Sequence, residues 1–199
     1  MRSSSRIALA ALFAFVPTLC AYAHPHVFIS NHVAVDFEGT VLARISVEWT
    51  FDELFSQMII ADFDKVSKGS FTEAEAMALK KGAFDNLRNY HYFLAFFLNG
   101  KSLLLPSIRD FKPTIKDGRL VYSFSLPLEL SIAAKPTELR ITIYDDTYYV
   151  AFDKTNQSDV EVRLADTVAA EVSIEKTTVK PEWPGQFMPD QIVLRMRRK

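Results

Sequence analysis

Cysteine is almost absent: the 199 residues contain one, Cys20. It lies inside an N-terminal segment with the marks of an export signal. Arg2 and Arg6 precede an apolar run over 7–16, which Pro17 breaks before the small-residue stretch ending in Ala21-Tyr22-Ala23. That A-x-A pattern is a signal-peptidase site. The sequence therefore predicts a leader over 1–23, a mature chain beginning at His24, and a periplasmic location. Cys20 leaves with the leader, and Leu19 stands where a lipid-attachment motif needs a small residue. The mature protein then forms no disulfide in a compartment that permits them, and its stability must come from a packed core.

Long apolar runs are missing too. The leader's run falls far below the roughly 20 residues that span a bilayer, and no other run is longer. The chain is thus expected not to be membrane-spanning itself. Charge of one sign is not in excess. Removing Arg2 and Arg6 from 23 basic residues leaves 21 against 24 acidic ones, a net charge of −3. That argues against a nucleic-acid partner. The basic end, Arg195, Arg197, Arg198 and Lys199, reads as a solvated tail. There is no G-x-S-x-G, phosphate-binding loop or H-E-x-x-H, and loss of Cys20 excludes thiol catalysis. No repeat, low-complexity segment or linker divides the mature chain, so 24–199 reads as a single domain.

What is present begins with strands. Residues 27–37 and 41–51 are rich in Val, Ile and Phe, with a turn at Glu38-Gly39, and predict a hairpin. Period two puts His26, Phe28, Ser30 and His32 on one face. From Asp52 the period changes: Leu54, Phe55, Met58, Ile59 and Phe63 recur at helical spacing, with Thr50 or Asp52 as the cap. A second helix is predicted over 72–90, opened by the capping-box pair Thr72 and Glu75, with Met77, Phe84, Leu87 and Tyr90 buried. The loop between the helices, 64–75, matches the frame of a twelve-residue calcium loop. Asp64 is at position 1, Gly69 at the turn and Glu75 at position 12, but Val66 and Lys68 replace two oxygen ligands. The reading is a loop that keeps this geometry without calcium. Short strands follow at 92–98, 102–105, 112–115, 120–128, 137–144, 148–153, 160–164, 170–179 and 191–196. The expected fold is α+β: a mainly antiparallel β-sandwich with an inserted helical hairpin resembling a degenerate EF-hand.

The chemistry gathers at the predicted mature terminus. His24 would carry a free α-amine beside its own imidazole, and His26 lies two residues on. In an extended strand that separation is about 6.7 Å, short enough for both rings to reach one ion. By the same rise His32 is about 20 Å beyond His26 and cannot join them. Nitrogen donors suit zinc, copper or nickel rather than calcium or magnesium. Pro25 lacks an amide proton, which blocks square-planar binding through the intervening backbone. Zinc prefers four ligands, so a further protein ligand is expected, His91 first and Asp52 second. Idle, exposed histidines, a capping His91 and a merely capping acidic group (Glu48, Asp52, Glu53) are the plain alternatives. Tyr144, Asp145, Asp146, Tyr148 and Tyr149 form a second polar-aromatic cluster, read as a turn with aromatic packing.

Several segments resemble one family. They are His24-Pro25-His26-Val27-Phe28-Ile29, Trp49-Thr50-Phe51-Asp52-Glu53 followed by Ser56, the calcium-loop-like turn, Asn86-Leu87 with Tyr92-Phe93, and Tyr144-Asp145-Asp146-Thr147-Tyr148-Tyr149. Their order is similar to the domain of unknown function 1007 family, described as the periplasmic component of an uncharacterised ABC-type transport system. The resemblance implies an association with nickel/cobalt-type permeases and with zinc, nickel or cobalt handling. Many members carry a fuller acidic loop where this chain has Val66 and Lys68. The expected function is a non-enzymatic periplasmic accessory that binds a divalent transition metal, zinc foremost with nickel, cobalt or copper open, and works with an inner-membrane permease. Two alternatives stay open: a copper redox enzyme using an N-terminal histidine brace, and a metal-independent sandwich that contacts a partner.

Overall fold

A computed structural model of the chain describes residues 26–66, 68–177 and 188–199. The predicted leader, its cleavage site and His24 lie outside the described residues. Strand β1 (Val27–Glu38) shows why the first hairpin forms. Val27, Ile29, Asn31 and Val33 point inward while Phe28, Ser30 and His32 point to solvent. β2 (Val41–Phe51) returns antiparallel to it, from Glu38↔Val41 to Ile29↔Phe51. Gly39, at φ +56°, supplies the left-handed backbone the turn requires.

β2 pairs with β6 (Arg119–Ser131), and β6 with β5 (Arg109–Lys116), both antiparallel. On the other side of β1 two short strands pair in parallel, β8 (Val150–Phe152) beside its start and β9 (Val160–Arg163) further along. The second sheet runs β10 (Val168–Lys176), β11 (Asp190–Arg198), β7 (Thr137–Ile143), β3 (Leu94–Leu98) and β4 (Lys101–Leu103), all antiparallel. The fold is therefore α+β and mostly β, built on two largely antiparallel sheets.

One apolar core draws on both sheets: Ile45, Trp49, Phe124 and Leu126 from the first, Phe96, Leu139, Ile141 and Ile192 from the second. Trp49 is its largest member. Its ring meets Phe124 edge-on at 4.9 Å and lies 5.7 Å from Phe152 and 6.0 Å from Phe93. Such tilted pairs add to the area term that dominates the core. The basic run near the end is solvent-exposed, as expected, and most of it belongs to a strand. Arg195 lies inside β11 and pairs with Glu138 at 3.1 Å and Glu175 at 2.7 Å, and the Arg198 amide donates to Ala133 O.

α1 (Glu53–Phe63) follows β2 directly. Of the two candidate caps, Asp52 serves, accepting the Phe55 amide at 2.9 Å. The helix packs Phe55, Ile59 and Phe63 against the core, and one small polar side chain bonds it to the sheet. Ser56 is fully buried, donates to Phe51 O at 3.3 Å and accepts the Leu120 amide at 2.9 Å. Leu54 and Met58, which share the helical spacing, lie on the exposed side. α2 (Glu73–Gly82) opens with the expected capping box of Thr72 and Glu75.

The second helix does not reach Tyr90. It stops at Gly82, and a 3-10 segment, Phe84–Phe93, follows. Glycine disfavours helix continuation, and Phe84, Leu87, Tyr90 and Phe93 recur every three residues, the 3-10 period. Met77 is exposed rather than buried, and so is Tyr90 at 49%. The segment ends in three consecutive left-handed residues, His91, Tyr92 and Phe93, with φ of 51°, 49° and 55°. L-residues adopt that conformation at a cost, and runs of it are uncommon.

Candidate functional site

The start of β1 is clamped from two sides. Asp52 takes the Phe28 amide on Oδ2 at 2.8 Å, and its own amide donates to Phe28 O at 2.9 Å. On the other side the His26 amide donates to Tyr149 O at 2.8 Å, and the Val27 amide to the same oxygen at 3.3 Å. The His26 ring lies 5.1 Å from that of Tyr149, tilted by 35°. His26 is exposed, and among the described residues its ring nitrogens have no hydrogen-bond partner. Its backbone is thus fixed while its donors are open. Asp52 already serves the Phe28 and Phe55 amides, one on each oxygen. It acts as cap and latch, with lone pairs left over.

His91 takes a different direction. It is exposed on the left-handed turn and opens on a hollow shared with Lys80, Asp85, Arg88 and the 104–111 segment. Its neighbour Tyr90 instead lines the cavity described below. Among the described residues, no three His, Cys, Asp or Glu side chains come together as a metal set. The structure thus links Asp52 to the start of β1 near His26 and gives His91 a separate hollow. The other acidic candidates disperse. Glu48 stands opposite His32 across the hairpin and pairs with Lys116 at 2.9 Å, and Glu53 accepts from Gln57 at 3.0 Å.

Behind the clamp lies a cavity of about 250 Å³ between strands of the first sheet, α1, the 3-10 segment and the turn before β8. Val27, Ile29, Phe51, Phe55, Leu87 and Tyr122 supply apolar wall, and Tyr90 and Tyr149 are partly exposed. Burial pushes the Tyr122 hydroxyl's ionisation well above its ordinary value. Asp145, 6% exposed, is also in the wall. It accepts from Thr147 N (2.9 Å), Thr147 Oγ1 (2.7 Å), Tyr149 N (3.1 Å) and Val150 N (2.9 Å). The turn read from Tyr144 to Tyr149 is therefore organised by a buried carboxylate. That carboxylate holds the residue on which His26 rests.

Sequence reasoning did not find this cavity. Its walls come from separate stretches between residues 27 and 150, so no local period announces them. The one local signal was the spacing of three in Leu87, Tyr90 and Phe93, which all line it.

The family described as protein of unknown function (DUF1007) matches residues 9–185. The uncharacterized 15.5 kDa protein in the trpE 3′ region of Spirochaeta aurantia is 34% identical over 131 residues, 66% of this chain and 93% of that protein. An uncharacterized protein of Haemophilus influenzae is 30% identical over 141 residues, 70% of this chain and 66% of its own length. No helix among the described residues is long and apolar enough to cross a membrane.

Proposed function

The chain belongs to the DUF1007 family of proteins of unknown function, and from that premise we propose that it is an exported accessory that binds a divalent transition metal at its mature N-terminus. The observation that carries this reading is His26: exposed, fixed at its amide by Tyr149, and open at both ring nitrogens among the described residues. His24, two residues earlier, would add an imidazole and an α-amine, giving the nitrogen-rich set that zinc, nickel, cobalt or copper accepts. Asp52, which accepts the Phe28 amide two residues beyond His26, is the carboxylate put forward to join them. His91, on its separate hollow, becomes the weaker candidate. The partner in this reading is an inner-membrane metal permease, and the role is non-enzymatic delivery or handling in the periplasm.

We read α1, the 64–75 loop and α2 as a degenerate EF-hand that closes on its own backbone. Asp64 accepts the Lys68 and Gly69 amides. Glu75 accepts the Lys65, Val66 and Thr72 amides. The oxygens that would meet an ion at positions 1 and 12 meet N–H groups instead.

The test is metal analysis of protein recovered from the exported fraction with its native terminus. About one equivalent of a zinc-class ion is expected, with no copper-dependent redox activity. Protein that is free of metal and takes up none on titration would contradict the reading. In that case the exposed apolar residues of the helical pair, Leu54, Met58 and Met77, favour a metal-independent role in contacting a partner.

A further inference from the structure

We propose that the hollow on which His91 opens binds a small organic monoanion, a carboxylate carried on an apolar body. The hollow lies between the 3-10 segment and the 104–111 segment that leads into β5. Its volume of about 510 Å³ falls in the range of small-molecule sites. Leu105, Ile108 and Phe111 supply apolar wall that is only partly buried. Phe111 stacks on the buried ring of Phe84 at 4.0 Å, which holds that wall in place. An apolar body laid on it would take this surface out of water.

The charges select the rest of the ligand. Lys80, Arg88 and Arg109 line the hollow together with Asp85 and Asp110. Lys80 pairs with Asp85 at 2.6 Å, and Asp110 accepts the Ser125 hydroxyl. Among the described residues, neither the Arg88 nor the Arg109 guanidinium has an ion-pair or hydrogen-bond partner. Arg44, Arg140, Arg163 and Arg195, by contrast, all pair with carboxylates. Both lining arginines are exposed and sit on flexible stems, so their heads can turn over the hollow. A guanidinium stays charged at any working pH, and its planar fork matches a carboxylate. Three cations against two carboxylates leave one positive charge in the wall, which suits a monoanion rather than a dianion or a cation.

The backbone points to the same place. The left-handed run without glycine puts His91 and Tyr92 on this hollow and leaves Tyr90 on the other cavity. Asp110, on the facing segment, is left-handed too, at φ 54°. Residues in such conformations cost energy and cluster at ligand sites.

The experiment titrates the chain beginning at His24 with three probes. One is 2-naphthoate. The second is 2-naphthamide, which has nearly the same shape and no charge. The third is acetate, which has the charge and no body. Naphthoate should bind saturably by calorimetry and shift the Nε–H resonances of Arg88 and Arg109. The amide and acetate should each bind about tenfold more weakly or worse, the loss of one charge-assisted pairing or of the apolar contact. Arg88→Gln combined with Arg109→Gln should bring naphthoate down to the level of the amide. Ser107→Glu, at an exposed lining position, cancels the net charge and decides the matter if the double variant does not fold. No saturable binding up to the solubility limit of naphthoate would overturn the proposal. So would equal binding of the amide, or undiminished naphthoate binding in a folded variant. None of these readouts involves metal, so failure of the terminal metal site leaves the result interpretable.

Discussion

Asp145 brings a negative charge into the wall of an apolar cavity, and its stability there rests on the donors around it. Three of them are backbone amides that fix the turn from Thr147 to Val150. Asp145→Asn replaces one acceptor oxygen with an amide that faces donors. Hydrogen bonds to charged groups contribute about 1.5–3 kcal/mol each, and unpaired buried groups cost similar amounts. Asp145→Asn is therefore expected to lower the unfolding free energy by about 2–3 kcal/mol in urea titration. It should also loosen the Tyr149 carbonyl that holds His26, seen as faster exchange of the His26 amide. An unchanged midpoint and exchange rate would show that the turn stands without the charge.

Glu75 contrasts with Asp145, lying half-buried at the surface. The Thr72 amide and hydroxyl, then the Lys65 and Val66 amides, lower its pKa from 4.5 to about 2. A carboxyl whose folded-state pKa is depressed contributes stability above its unfolded pKa and loses it as pH falls through the folded one. The loop should therefore hold its protection at pH 5 and lose it progressively between about 4.5 and 2. Amide exchange at Lys65, Val66 and Thr72 reads this directly. Glu75→Gln should expose those amides already at pH 5 and flatten the pH dependence. Solvent screens a carboxylate at the surface, so the effect on global stability is small.

At the scale of elements, α1 and α2 bury narrow faces, Phe55, Ile59 and Phe63 being only partly buried against the core, so their caps matter to them. Each buries a single residue fully, Ser56 in one and Leu79 in the other. Thr72→Ala removes the capping box and should cost about 1 kcal/mol, read as earlier melting of the helical pair by circular dichroism. Calcium at millimolar concentration should leave the melting temperature unchanged, because an ion that does not bind the folded state gives no linkage. A clear rise would show that Asp64 and Glu75 exchange their N–H partners for an ion despite Val66 and Lys68.

Elements were legible to different degrees, for physical reasons. The first hairpin was readable because alternation in Val27, Ile29 and Val33 survives from sequence to sheet. So was the start of α2, where Thr72 and Glu75 satisfy each other locally. The end of α2 was not, because Phe84, Leu87 and Tyr90 were read at helical spacing although they recur every three residues. The left-handed run at His91, Tyr92 and Phe93 carries no glycine to announce it. Of the candidate site, His26 and Asp52 could be singled out from the chain alone. The Asp145 anchor and the cavity could not, since both depend on contacts between distant stretches.

For the molecule as a whole, the two sheets share one core, and the proposed site lies at the end where β1 begins. β8 lies alongside that start and α1 springs from its partner strand, so Tyr149 and Asp52 fix the backbone around His26 from opposite sides. The central proposal is that the predicted mature terminus leading into His26 is a metal site. Zinc titration of the chain beginning at His24, compared with its His26→Ala and His91→Ala variants and with a form retaining residues ahead of His24, tests it most directly. The account predicts one zinc per chain, at least tenfold weaker binding in His26→Ala with an unchanged melting temperature, and little change in His91→Ala. Weaker binding in the extended form would identify the α-amine as a ligand; unchanged binding would leave the imidazoles to hold the ion. Equal affinity across all four would contradict the account.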